Sequence, residues 1–223
     1  MPRRAKGAPV AATDARGSLG RPALPREFIA VHKRRRIMDA IAELTAEQGY
    51  EATKISDIVR QAAVARKTLY DNFTGKEEVF LAAFDASVEE MTRRIEDACA
   101  GAGDSLQERI EAGLEAFLGY IAEDPALARM CLIEALSASP ATTKRYEEAL
   151  QGFVEMAQRA LPRDERLPET IEETLVGGVA WIAYQQIRRR ETEHAADLLP
   201  ELSEFMMAPY VGVGIAGSAD KQV

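Results

Sequence analysis

Between Glu27 and Phe73 three helical apolar periods follow one another with breakers between them, and such crowding within about 47 residues leaves no room for a sheet. Ile37, Ile41, Leu44 and Thr45 stand at i, i+4, i+7 and i+8, one stripe of a helix that stops at Gly49, a residue suited to a left-handed C-cap. A second, shorter helix places Ile55, Ile58, Val59 and Ala62 on one face. After a turn at Ala63 and Val64, a third runs from Arg66 to Phe73, with Leu69 and Phe73 four residues apart and therefore on the same side.

The rest of the chain continues in the same period. A long helix is expected from Lys76 to about Ala100, with Glu77 and Glu78 in its first turn, where acids favour the positive end of the helix dipole. Further helices, punctuated by breakers, are expected over 105–122, 125–137, 142–161, 169–191 and 195–210. β-Branched residues never alternate over a useful length, so the fold class is all-α.

Charge is unevenly placed. The net charge is −8, yet residues 1–76 hold 15 Lys+Arg against 8 Asp+Glu, while residues 77–223 hold 13 against 28. That asymmetry is the footprint of a basic nucleic-acid module joined to an acidic remainder. Residues 1–26 carry four prolines and the basic residues Arg3, Arg4, Lys6, Arg16, Arg21 and Arg26, and read as a flexible basic arm. No long apolar run marks a membrane span and no apolar leader opens the chain, which predicts a cytoplasmic protein.

An enzyme is disfavoured. The two histidines, His32 and His194, lie far apart, and no phosphate-binding glycine loop, nucleophile elbow or H-E-x-x-H is present. The acidic pairs Glu89-Glu90, Glu147-Glu148 and Glu172-Glu173 fall at solvent-facing helical positions. Cys99 and Cys131 lack metal-ligand spacing and read as reduced core thiols, so neither a metal nor a cofactor is expected.

A recognition helix must pack one face on its partners while offering polar and cationic groups to the major groove. Arg66-Lys67-Thr68-Leu69-Tyr70-Asp71-Asn72-Phe73 divides in that way. Leu69 and Phe73 point inward. Arg66 suits guanine, Asn72 suits adenine, and Lys67, Thr68 and Tyr70 suit phosphate oxygens.

The segment "GYEATKISDIVRQAAVARKTLYDNFTGKEEVFLAAF" resembles the N-terminal domain of the TetR (tetracycline-repressor-like) family, in register over about residues 33–84. The resemblance implies a helix-turn-helix DNA-binding domain at 27–75, a helical effector-binding and dimerisation domain at 76–212 and a tail at 213–223. It also implies a phosphate clamp made by Tyr70 and Lys76. Three departures stand out. Lys54 replaces the hydroxyl residue that usually opens the second helix, which leaves the cap to Thr53 and gives Lys54 a phosphate. Ala63-Val64-Ala65 replaces Gly-Val-Ser, and Asp71 puts a negative charge on the recognition helix.

By the same resemblance, helices near 169–190 and 195–210 would pair two copies, setting two recognition helices on a palindromic operator. Leu198, Leu199, Leu202, Phe205, Met206 and Tyr210 supply an apolar surface for it. A small apolar or aromatic effector would sit among Phe84, Met91, Phe117, Tyr120, Met130, Phe153, Met156, Trp181 and Tyr184. The expected function is a repressor released from its operator by that effector. Activation, or regulation without an effector, is the alternative.

Overall fold

The structure is a computed structural model that describes residues 26–214, and these fold entirely into helices and connecting turns. The basic arm expected over 1–26, apart from Arg26 at the start of the first helix, and the tail beyond 214 lie outside the described residues. The helices are α1 (Arg26–Gln48), α2 (Ile55–Gln61), α3 (Arg66–Tyr70), α4 (Lys76–Gly101), α5 (Leu106–Glu123), α6 (Pro125–Arg129), α7 (Ala135–Ala138), α8 (Pro140–Ala160), α9 (Ile171–Arg189) and α10 (Leu199–Gly212). A π turn, Met130–Glu134, joins α6 to α7, and a 3₁₀ segment, Thr192–Leu198, leads into α10. No described helix is long and apolar enough to cross a membrane.

Helix ends follow local chemistry. Gly49 stops α1 with φ +82°, a left-handed conformation that costs glycine nothing. Lys54, not Thr53, is the N-cap of α2, and its backbone N–H donates to the Asp57 carboxylate at 3.3 Å. Ser105 caps α5 reciprocally with Glu108, and Ser139 caps α8 ahead of Pro140 at N1.

α3 is shorter than its period suggests. The Asn72 side-chain amide donates to the Thr68 carbonyl at 2.7 Å, taking an acceptor that a continuing helix would need, and the chain turns at Asp71–Asn72. Phe73 still reaches the core beside Leu69, because its N–H bonds the Leu69 carbonyl at 2.9 Å. The single helix expected over 125–137 is likewise divided by the π turn.

The turn between α2 and α3 carries strain. Ala63 sits at φ +46°, where a Cβ crowds the backbone, and the Arg36 guanidinium donates to its carbonyl at 3.2 Å. Ala63→Gly should therefore raise the urea midpoint, by about 0.5–1 kcal/mol of stability with an unchanged m-value. A lower midpoint would show that this turn is relaxed with alanine.

Packing does not break where α4 begins. One apolar core takes Ile37, Ile41, Ile58, Leu69 and Phe73 from α1 to α3, Val79, Phe80 and Phe84 from α4, and continues into Leu127, Met130 and Ala135. A second core joins α5, α9 and α10 through Leu114, Leu118, Leu175, Ile187, Leu202 and Tyr210. α9 and α10 approach closely at Gly178, where a Cβ would meet the Phe205 ring at 2.8 Å.

Candidate DNA-contact surface and ligand cavity

Arg66, Lys67 and Tyr70 project from α3 into solvent, with Lys54 exposed at the start of α2. Arg66 lies over the Tyr70 ring and donates to its hydroxyl at 3.4 Å, so the two form one unit on an exposed face. Thr68 is half-buried. Asn72 is also half-buried, with its amide N–H turned back to the Thr68 carbonyl. Thr53 lies beneath the surface at 1% exposure, and its hydroxyl donates to the Gly49 carbonyl at 2.9 Å; burial places it in the scaffold and removes it from any face open to DNA.

Lys76 also differs from expectation. Its ammonium is held against the protein, 2.8 Å from the Tyr50 carbonyl and 3.9 Å from the centre of the Tyr50 ring. An ammonium has three N–H donors, so Tyr50 does not exhaust it.

Two arginines on α1, which their sequence position leaves undistinguished from solvated charge, hold this surface together. Arg34 lies 4.3 Å from the Phe73 ring centre and donates to the Asn72 carbonyl, while Arg36 supports the Ala63 turn.

Tyr50 is the node between this surface and the rest of the chain. Its ring meets Phe80 edge-on at 5.3 Å, its carbonyl takes Lys76, and its N–H donates to the Glu134 carboxylate at 3.1 Å. Glu134 is buried at the end of the π turn and pairs with Arg129 at 3.5 Å. Its sequence signal is a lone acid inside the apolar run Met130-Cys131-Leu132-Ile133-Glu134-Ala135.

Behind the π turn, α4, α5, α8 and α9 line an apolar cavity of about 420 Å³. Phe84, Met91, Phe117, Tyr120, Phe153 and Met156 line it. The structure does not bring Met130, Trp181 or Tyr184 to its wall: Met130 is in the core against α1–α4, and Trp181 stacks on Tyr184 at 5.4 Å with more than half its surface exposed on α9. Cys99 and Cys131 are both free and both line the cavity. Burial pushes the Cys131 thiol up to about 12, and the Cys99 thiol and Tyr120 hydroxyl upward too, so none of these three groups is ionised at neutral pH.

Ser87 and Tyr120 share a buried hydrogen bond of 2.8 Å, and beyond them lies a separate polar chamber of about 550 Å³. The only charged side chains on the apolar cavity's wall, among the described residues, are Glu96, Arg109 and Arg159.

Residues 37–83 match the family model described as bacterial regulatory proteins, tetR family. The chain is 24% identical over 165 residues to the HTH-type transcriptional activator FasR of Mycolicibacterium smegmatis, covering 74% of this chain and 73% of that one. Its fold is similar to that of the fatty acid degradation regulator FadR from Bacillus halodurans, with a TM-score of 0.72 and 20% identity over 78% of this chain and 94% of that one. The transcriptional regulator FadR from Bacillus subtilis, solved in complex with stearoyl-CoA, gives a TM-score of 0.67 at 20% identity over 77% and 96% of the two chains.

Proposed function

The chain belongs to the TetR family of DNA-binding transcriptional regulators, a family of regulators and not of enzymes, and from that premise we propose that it is a homodimer whose grip on a palindromic operator is weakened by a long-chain acyl effector. The observation that carries this reading is the path of α4. It opens with Lys76, next to the exposed Arg66, Lys67 and Tyr70, and runs 26 residues, about 39 Å, to form one wall of the apolar cavity with Phe84, Ser87 and Met91. A rigid helix with one end at a DNA-contact face and the other at a cavity lets an occupant of the cavity move that face.

The effector class is supported by the cavity's predominantly apolar lining and by the stearoyl-CoA bound to the similar Bacillus subtilis regulator. Dimerisation is supported by the exposed Trp181 on α9 and the exposed Phe205 and Val211 on α10, an apolar face that a second copy would cover. To move operator occupancy from 99:1 to 1:99, the effector must favour one state by about 5.5 kcal/mol. A second reading, activation of transcription, is favoured by the similarity to the Mycolicibacterium smegmatis activator.

The DNA-contact assignment is tested on the protein's own upstream region by fluorescence anisotropy across a salt series. Arg66, Lys67 and Tyr70 are proposed contacts, with Lys54, Thr68, Asn72 and Lys76 at the edge of the same footprint. Tyr70→Phe combined with Lys76→Ala should weaken binding to every sequence and flatten the salt slope by about 0.9 for each phosphate that is no longer neutralised. Unchanged affinity and slope would remove the clamp from the mechanism. Effector release is tested in the same assay with palmitoyl-CoA, and equal binding with and without any acyl compound would overturn the ligand-responsive reading.

A further inference from the structure

The apolar cavity has two chemically different ends, and α4 measures the distance between them. Ser87 lies toward one end, a turn past Phe84, and is hydrogen-bonded to Tyr120. Cys99 marks the other, with its thiol donating to the Arg109 carbonyl at 3.5 Å. Twelve residues of α4 separate Ser87 from Cys99, about 18 Å at 1.5 Å per residue.

At the Cys99 end, Arg109 is half-buried and its Nε is a buried donor without a hydrogen-bond partner among the described residues. Its Nη1 donates to the Asp104 carbonyl at a long 3.4 Å. Arg159, at the end of α8, lines the same cavity and has no ion pair among the described residues. With Glu96 as the one acid on this wall, the charged lining is net positive. The polar chamber beyond Ser87 has the opposite balance: Arg35, Arg93 and Arg94 are outnumbered by Asp39, Glu89, Glu90, Glu123 and Asp124, and Arg93 and Arg94 are already paired with Glu90, Asp97 and Glu123. An anionic group gains at the first end and is repelled at the second.

Resting on the acyl-effector reading above, the geometry points to a defined orientation: Arg109 and Arg159 hold the effector's anionic head, and the Ser87–Tyr120 pair is the stop against which the far end of its chain abuts. Chain length follows from the separation of these two ends. About 18 Å accommodates roughly 15 bonds of an extended chain at about 1.2 Å per bond. A chain longer than this must part Ser87 from Tyr120 and enter the acidic chamber.

Isothermal titration calorimetry on the full chain tests both ends. The probes are straight-chain saturated acyl-CoAs from decanoyl to icosanoyl, the free fatty acids of the same lengths, and their uncharged methyl esters. The natural chain should bind tetradecanoyl and hexadecanoyl probes best. Arg159→Gln, at an exposed position, and Arg109→Gln should each weaken the anionic probes roughly ten- to a hundredfold and leave the methyl esters unchanged. Loss confined to the acyl-CoAs identifies the phosphorylated head as the group held, and loss confined to the free fatty acids identifies the carboxylate, which the acyl-CoA thioester lacks. Tyr120→Leu should move the optimum to longer chains, while Tyr120→Phe, which keeps the ring, should leave it in place. If anionic chains bind and neither arginine variant discriminates them from the esters, the head site is wrong while the acyl effector stands. An unmoved optimum in Tyr120→Leu overturns the stop. If no acyl probe binds the natural chain, this inference falls together with the effector reading it rests on.

Discussion

Phe80→Ala should cost about 3–5 kcal/mol of folding stability. Phe80 is fully buried near the start of α4, in the core that binds α1, α2 and α3 to the rest of the molecule. Its ring also receives Tyr50 edge-on at 5.3 Å and 87°, a geometry that adds about 0.5–1.5 kcal/mol beyond burial. Removing the ring therefore opens a cavity and frees Tyr50, whose carbonyl and ring hold Lys76. Against a typical total of about 5–15 kcal/mol, such a loss leaves little of the DNA-contact face ordered. Urea denaturation followed by circular dichroism measures it, and Phe80→Leu should recover more than half. A loss below about 1 kcal/mol would mean that the two helical layers are not joined through this ring.

The α1 stripe, the Gly49 stop, the buried Leu69 and Phe73 and the exposed Arg66, Lys67 and Tyr70 are all legible in the sequence, because each follows from spacing along one helix and the side chain's own chemistry. What is not legible there depends on partners outside the helical period. Asn72 has the right groups to bind adenine, but its amide is engaged four residues back, which a period cannot reveal. Thr53 and Lys54 are adjacent hydroxyl and cationic residues, and only the turn geometry decides that the first is buried while the second caps α2. Trp181 and Tyr184 suit a cavity by type, but aromatic side chains at helical spacing fit a core, an interface or a pocket equally well; their stack stands on the outer face of α9. The Ser87–Tyr120 bond links residues 33 apart, and the bond from Tyr50 to Glu134 spans 84. Neither separation leaves a local pattern.

That last bond sets the other large expected effect. Glu134→Ala should destabilise the chain by about 2–3 kcal/mol, since it leaves the buried Tyr50 N–H without an acceptor and Arg129 without its partner. The full cost of breaking a buried ion pair does not apply, because Arg129 retains 27% side-chain exposure and water can take up part of its charge. Glu134→Gln keeps an acceptor for Tyr50 and should lose about half as much. The more telling consequence concerns coupling. Glu134 sits on the π turn whose Cys131 lines the cavity, while Tyr50 passes the contact on to Lys76 through its carbonyl. Glu134 and Lys76 thus hold opposite sides of one residue, and their effects on DNA affinity should not add. In a double-mutant cycle of Glu134→Gln and Lys76→Ala, an interaction energy of about 0.5 kcal/mol or more is expected. Additivity within about 0.3 kcal/mol would show that the π turn and the DNA-contact face respond independently, and the proposed route from cavity to operator would then have to run along α4 alone.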